Sequence, residues 1–383
     1  MKYTQENGLA ARINSKNLRS RKLKILLISS IPPPIGGISI WTDQFIKYPW
    51  MENNLRLLSI SSIVQKGGNT RFRFKRNAMA LIYSIWGLVR IIYRIIFDRP
   101  DIFHICCSKG MSFYRSIFYA FVIKLFAKKT VIHFHSNLNT FCKNKRIIFY
   151  HIFKNLHYIV DAFVSINVFD RETLNEMKFQ GSIYKINNFV NNVFFVRRKI
   201  NKNNQIFRLP YIGWIIPEKG LNELILSIRY LSNVKLQLIG PIIDKTYFHY
   251  LMRQIECLGL SERVQYHGSI SQLDLIEKYL NSDAFVLPSH SESFSLVLAE
   301  AMALGLPVIC TKVGLACELK QGENALIIPQ KDSIALKDAI VLLMNDLTMR
   351  LRMSECNHAY AMQNFRIDEI ILQWLKVYRA LAS

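Results

Sequence analysis

Two carboxylates, Glu292 and Glu300, stand eight residues apart in the segment FVLPSHSESFSLVLAEAMALGLP (285–307). An apolar strand ends at Pro288 and a polar loop follows. A helix is expected from about Ser293–Ser295 to Gly305, with the serines as caps and the glycine as terminator. Glu292 then precedes the helix and Glu300 lies two turns into it. Eight helical residues advance about 80° past two full turns, so both carboxylates can serve one side of a site. The backbone N–H groups at Ser293 to Ser295 form a seat for an anion, beside which a carboxylate can accept hydrogen bonds from hydroxyl groups. Two glutamates eight apart are also what a solvated helix face shows by coincidence. In YIGWIIPEKGLNELILSI (211–228), a strand turns through Gly213 and Lys219 sits at a Pro217–Gly220 turn, where a mobile ammonium can reach a diphosphate. In SSIPPPIGGISIW (29–41), Gly36 and Gly37 allow backbone to approach a ligand closely, or form a plain turn. In VIHFHSN (131–137), His133 and His135 alternate onto one strand face. No neighbouring carboxylate or Cys completes a ligand set, so no metal is expected there. His104 in DIFHIC reads as a structural strand-end residue.

These groups need a scaffold, and the sequence supplies a repeating one. Near-continuous apolar runs occur at 24–30, 55–60, 102–107, 131–136, 162–167 and 183–188, and again at 208–213, 235–240, 264–269, 284–289, 307–312 and 325–329. Such runs suit parallel strands covered on both faces, and helical patterns lie between several of them. Alternating strand and helix implies α/β architecture: two doubly wound, Rossmann-like domains facing a central cleft. The expected organisation is a loose basic tail (1–22), an N-terminal acceptor- and membrane-facing domain (23–190), a linker (191–205), a C-terminal nucleotide-binding domain (206–365), and a last helix (366–383) able to pack back on the first domain. Ligands of this class bind at the carboxyl ends of the strands, hence in the cleft.

Glu292, then Glu300-Ala-Met-Ala-Leu-Gly-Leu-Pro-Val-Ile309, followed by Gly314, Glu318 and GENALIIP (322–329), resembles the hallmark of the family 4 retaining glycosyltransferases, which have the two-Rossmann GT-B architecture. That resemblance implies a nucleotide-diphosphate sugar as donor substrate, no metal and no other cofactor. It implies that Glu300 holds ribose hydroxyls and Glu292 holds hydroxyls of the donor sugar. Gly36, Gly37, Gly213, Ser293, Phe294, Ser295 and Leu296 would line the donor site, Lys219 would hold the diphosphate, and His135 would stand at the reacting carbon. The sequence departs from the family at Trp214, where the family places a second diphosphate ligand, an Arg. A Trp cannot replace a bidentate guanidinium; it either packs in the core or covers a base or sugar face. The resemblance further implies retention of configuration, with the departing phosphate taking the acceptor proton. No DxD triplet is present.

The chain has 383 residues and a net charge of +23. Residues 1–200 hold 32 Lys/Arg against 9 Asp/Glu, while the remainder is balanced, so the excess belongs to one half. No nucleic-acid-reading motif accompanies it, and no nucleic-acid partner is expected. Seven cysteines without CxxC spacing read as reduced and buried. The stretch from Ala78 to Phe97 is long enough to span a bilayer, but Arg90 and Arg94 lie inside it, at a cost of at least ~2.5 kcal/mol near the bilayer centre. With Arg71, Arg73, Lys75 and Arg76 upstream, it reads as an interfacial helix on anionic lipid, or as an ordinary helix with a solvated basic face. The combined expectation is a retaining hexosyltransferase at the cytoplasmic face of the membrane, acting on a lipid-linked saccharide in surface-polysaccharide synthesis. The alternative is a non-catalytic GT-B-fold subunit of a polysaccharide assembly complex.

Overall fold

The structure, a computed structural model, describes residues 22–32, 36–53, 55–61, 73–143, 146–198 and 205–383; within 73–81 the backbone alone is described. The N-terminal half runs β1 (Leu23–Ser29), α1 (Gly37–Lys47), β2 (Leu55–Ser61), α2 (Arg73–Phe97), β3 (Ile102–Cys107), α3 (Met111–Leu125) and β4 (Lys129–Phe134). It continues with α4 (Leu138–Cys142), α5 (Arg146–Leu156), β5 (Ala162–Ser165), α6 (Asp170–Glu176) and β6 (Ser182–Lys185). Its strands form one parallel sheet of order β2-β1-β3-β4-β5-β6. The period-two alternation of each strand divides its side chains between two cores. Leu26, Ile28, Phe103 and Ile105 meet Ile91 and Ile95 of α2, Phe113 and Ile123 of α3, and Phe149 and Phe153 of α5. Ile25, Leu27, Ile102 and Cys106 face the opposite way, onto Trp41 and Phe45 of α1.

The C-terminal half runs β7 (Phe207–Ile212), α7 (Leu221–Ser227), β8 (Val234–Ile239), α8 (Lys245–Cys257), β9 (Val264–Gly268) and α9 (Gln272–Leu280). Then come β10 (Phe285–Leu287), α10 (Leu296–Ala303), β11 (Val308–Thr311), β12 (Ala325–Ile328), α11 (Ser333–Asn345), α12 (Leu347–Asn364) and α13 (Ile367–Ala382). Its parallel strands form two ladders, β7-β8-β9 and β10-β11-β12. They meet where Asp283, just before β10, exchanges hydrogen bonds with Arg208 of β7 (2.8 and 2.9 Å). Side chains of Asp244, Ser271, Asp332 and Asp346 cap α8, α9, α11 and α12, satisfying N–H groups that the helices leave unpaired.

The last helix leaves the C-terminal half. Ile370, Ile371, Trp374, Leu375 and Tyr378 of α13 are buried on the N-terminal sheet in the same core as Ile25, Leu27 and Trp41. The chain therefore crosses between the halves twice. The two crossings touch: the Val190 N–H donates to the Phe365 carbonyl at 2.9 Å.

Candidate active site

Four loops at the carboxyl ends of strands carry the candidate residues. The loop after β10 holds Glu292, and its geometry differs from the expected one. The helix begins at Leu296, so Glu292 lies in the loop and Glu300 stands one turn into α10, not two. The helical-angle argument for bringing the two carboxylates together does not apply. Glu292 is placed by contacts instead. Its Oε1 accepts from Lys219 Nζ at 2.6 Å and from Ser289 Oγ at 2.9 Å, and the Ser289 carbonyl accepts in turn from Thr311 Oγ1. Gly314 packs so tightly beneath this loop that a Cβ there would lie 2.8 Å from the Phe294 carbonyl oxygen and 2.9 Å from the Glu292 Cβ. The expected serine caps do not form. Ser295 has φ +79° and makes no capping bond, and its buried Oγ has no protein partner. Glycine adopts that conformation without strain, whereas a serine needs the surrounding fold to hold it there.

Glu300 lies beside Tyr279 of α9, whose hydroxyl is 2.9 Å from the Val297 carbonyl and 3.4 Å from Glu300 Oε2. Burial raises the Glu300 carboxyl to about 8, with the Tyr279 hydrogen bond opposing the shift. At neutral pH this glutamate is mainly protonated, while the Glu292 charge is cancelled by Lys219.

The loop after β7 closes on the loop after β10. Gly220, at φ +69°, sits where a Cβ would come 2.1 Å from the Pro288 carbonyl oxygen, so only glycine lets the Lys219 turn approach. The His290 N–H donates to the Glu218 carbonyl at 2.8 Å, tying the same loops together. Gly213 lies directly under Gly240, where a Cβ would meet the Gly213 carbonyl oxygen at 2.0 Å. Trp214 is not a core residue: it is 53% exposed, and its carbonyl accepts from Tyr211 Oη at 2.8 Å.

The N-terminal half contributes Gly36, Gly37 and His135. Gly36 caps α1, and open space surrounds the Cβ positions of both glycines; Pro33 to Ile35 lie outside the described residues. His135 follows β4, and its N–H donates to the Cys107 carbonyl at 2.8 Å. Its ring stands edge-on to Trp41 at 5.3 Å, and burial lowers its pKa to about 3, which keeps the imidazole neutral. Its Nε2 is buried without a protein partner. Asn167, after β5, donates through Nδ2 to the Ser293 carbonyl at 3.4 Å, bringing the two halves together at the loop after β10. Asn167 and Tyr279 have no motif around them and Ser289 lies unremarked inside the segment 285–307; sequence reading missed all three.

The expectation that nothing completes a metal set around His133 is corrected. Cys106 and His104 on β3 lie beside it, because β3 pairs with β4 in a register that puts Cys106 opposite His133. Of the basic residues upstream of α2, Arg71 lies outside the described residues, and only the backbone is described for Arg73, Lys75 and Arg76. Arg90 is exposed and Arg94 pairs with Asp98 at 2.6 Å. The outward side of α2 is apolar, with Ile82, Ile85, Trp86, Val89 and Tyr93 exposed. On the adjoining α3, Phe118, Phe121 and Leu125 are exposed. The two helices are joined by Tyr119 Oη donating to the Ser84 carbonyl at 2.9 Å. No helix among the described residues is long and apolar enough to cross a membrane.

Two parallel Rossmann-like domains with loops converging at their carboxyl edges define the GT-B fold. Solved structures agree. The chain is similar to a sucrose-phosphate synthase from Thermosynechococcus elongatus (TM-score 0.74, 19% identity, covering 94% of this chain and 99% of that one). It is also similar to HepE from Anabaena, solved in complex with UDP (TM-score 0.72, 16% identity, covering 94% and 100%). Residues 193–358 match the family described as glycosyl transferases group 1. The capsular polysaccharide biosynthesis glycosyltransferase CapM of Staphylococcus aureus is 34% identical over 157 residues, which is 38% of this chain and 39% of that protein. The match thus spans well under half the length of this curated relative.

Proposed function

We propose that the chain is a retaining, metal-independent hexosyltransferase that moves a sugar from a nucleotide-diphosphate donor to a lipid-linked saccharide during surface-polysaccharide synthesis. The observation that carries the reading is the Lys219–Glu292 ion pair, 2.6 Å long, in the loops that precede the helix bearing Glu300. An arriving diphosphate draws the Lys219 ammonium from Glu292. Glu292 is then free to accept hydrogen bonds from donor-sugar hydroxyls, while Glu300 meets the ribose. As the sugar–phosphate bond breaks, negative charge grows on the leaving phosphate, where Lys219 and the N–H groups at Ser293 to Leu296 stabilise it. His135 stays neutral and offers Nε2 to the sugar. The phosphate itself takes the acceptor proton. Two kinds of similarity support this reading: a polysaccharide glycosyltransferase among the relatives, and a bound UDP in a structure of the same fold.

The first test is thermal unfolding with UDP, GDP, ADP and CMP. One nucleotide at 100 times its dissociation constant should stabilise the protein by about 2.7 kcal/mol, and Glu300→Ala should abolish that shift. No shift with any nucleotide would favour a non-catalytic subunit, the reading that Trp214 in place of the family's Arg otherwise supports.

The acceptor reading rests on the basic half and the apolar outward side of α2 and α3. A helix that is apolar toward solvent and flanked by Arg suits the interface of an anionic membrane at the cytoplasmic face. Each basic residue near such a surface contributes about 1 kcal/mol. Changing Arg71, Arg73, Lys75 and Arg76 together to Gln should therefore weaken binding to anionic vesicles by two to three orders of magnitude. Equal sedimentation of the variant and the parent with vesicles would refute the membrane reading.

A further inference from the structure

The cluster under His135 has no part in the chemistry above. His104, Cys106 and His133, all buried, each offer one donor atom, and these atoms lie within 4.8 Å of one another. The sulfur is 3.6 Å from His104 Nε2 and 3.8 Å from His133 Nδ1. A thiolate and an imidazole sharing one cation, at metal–sulfur ~2.3 Å and metal–nitrogen ~2.0–2.1 Å, stand ~3.6 Å apart in tetrahedral geometry and ~3.8 Å in trigonal. Both observed separations fall on these values.

We propose that His104, Cys106 and His133 form a binding site for one soft monovalent cation of the Cu+ type. One thiol proton cannot serve two imidazole lone pairs, whereas a cation at the centre engages all three donor atoms. The second nitrogen of His104 is already committed: His104 Nδ1 lies 2.6 Å from Tyr378 Oη, which fixes the ring and leaves Nε2 for the cation, as the outer hydrogen bond of a metal-bound His commonly does. Trp374 stacks on His104 with centroids 4.3 Å apart, and Trp41 stands edge-on to His133 at 4.9 Å, so the site is screened from water by aromatic rings. No carboxylate belongs to the cluster. Binding releases the Cys106 proton, and thiolate plus a monovalent cation leave no net charge in the core. A divalent cation would leave one positive charge there without compensation. The rings of His133 and His135 are 3.9 Å apart, so a bound cation adjoins the proposed sugar site without being part of it.

The test titrates the reduced, metal-free full chain with Cu+ against a chromophoric chelator, and separately with Zn2+. Because Cys257 is exposed, every protein in the series carries Cys257→Ser. One tightly held equivalent of Cu+ is expected, lost in Cys106→Ser and weakened about 10–100-fold in Tyr378→Phe, which removes the outer partner of His104. X-ray absorption of the loaded parent should show one sulfur and two nitrogen neighbours. An equal Cu+ equivalent in Cys106→Ser, or a coordination shell of sulfur alone, would overturn the site. Tighter binding of Zn2+ than of Cu+ would overturn the choice of a monovalent ion.

Discussion

Lys219→Ala should lower kcat/KM for sugar transfer by about 10²–10³, the loss that follows when one preorganised group facing developing negative charge is removed. No other Lys or Arg contacts Glu292 among the described residues, and the position that holds a second cation in the family is Trp214 here. The variant should also unfold at lower temperature, because the half-buried Glu292 carboxylate loses its 2.6 Å partner. The double variant Lys219→Ala, Glu292→Gln separates the two effects. It should recover much of the lost stability and none of the lost turnover. Turnover is measured with the nucleotide sugar whose base the unfolding screen identifies. A Lys219→Ala protein that turns over at the parent's rate would sink the proposed diphosphate contact.

Trp374→Ala should cost about 3–5 kcal/mol, the range for deleting a large buried aromatic. The side chain is fully buried, in the same core as the N-terminal sheet. It stacks on His104, lies 4.8 Å from the His133 ring and 6.0 Å from Phe45. Its loss leaves a cavity between α13 and the N-terminal sheet and loosens that helix from β3. Urea unfolding followed by hydrogen exchange should show the midpoint falling and the amides of α13 and β3 losing protection together. An unchanged midpoint would mean that the helix contributes little to the N-terminal domain.

The strands were legible because parallel strands covered on both faces leave unbroken apolar runs. All twelve runs correspond to observed strands, within a residue or two at most ends. Glu292 and Glu300 were legible as a spaced pair, since the spacing survives whatever the local geometry. Their placement was not. The helix starts one to three residues later than a serine-cap reading suggests, because Ser295 takes a left-handed conformation that no capping rule anticipates. The partners of the pair come from elsewhere in the chain: Lys219 from the loop after β7 and Tyr279 from α9, while Asn167 of the opposite half reaches the neighbouring Ser293 carbonyl. The histidine cluster was hidden for a similar reason. His104, Cys106 and His133 are all visible as letters, but what joins them is the order of strands in the sheet, which places β3 next to β4. Trp214 was ambiguous between core and surface because a lone tryptophan after a strand suits either environment; its exposure follows from the loop's path past Tyr211.

The paired crossings near Val190 and Phe365 have a mechanical consequence. A single tether would let one domain swivel about three axes relative to the other. Here two chain segments run side by side, joined by the Val190–Phe365 hydrogen bond and by Asn187 Nδ2 donating to the Asn364 carbonyl at 3.4 Å. Two adjacent tethers resist twist and lateral sliding, and leave one easy rotation about the line that runs through them, as a door has on its hinge. Rotation about that line would part and rejoin the loops bearing Ser293 and Asn167 along a single arc.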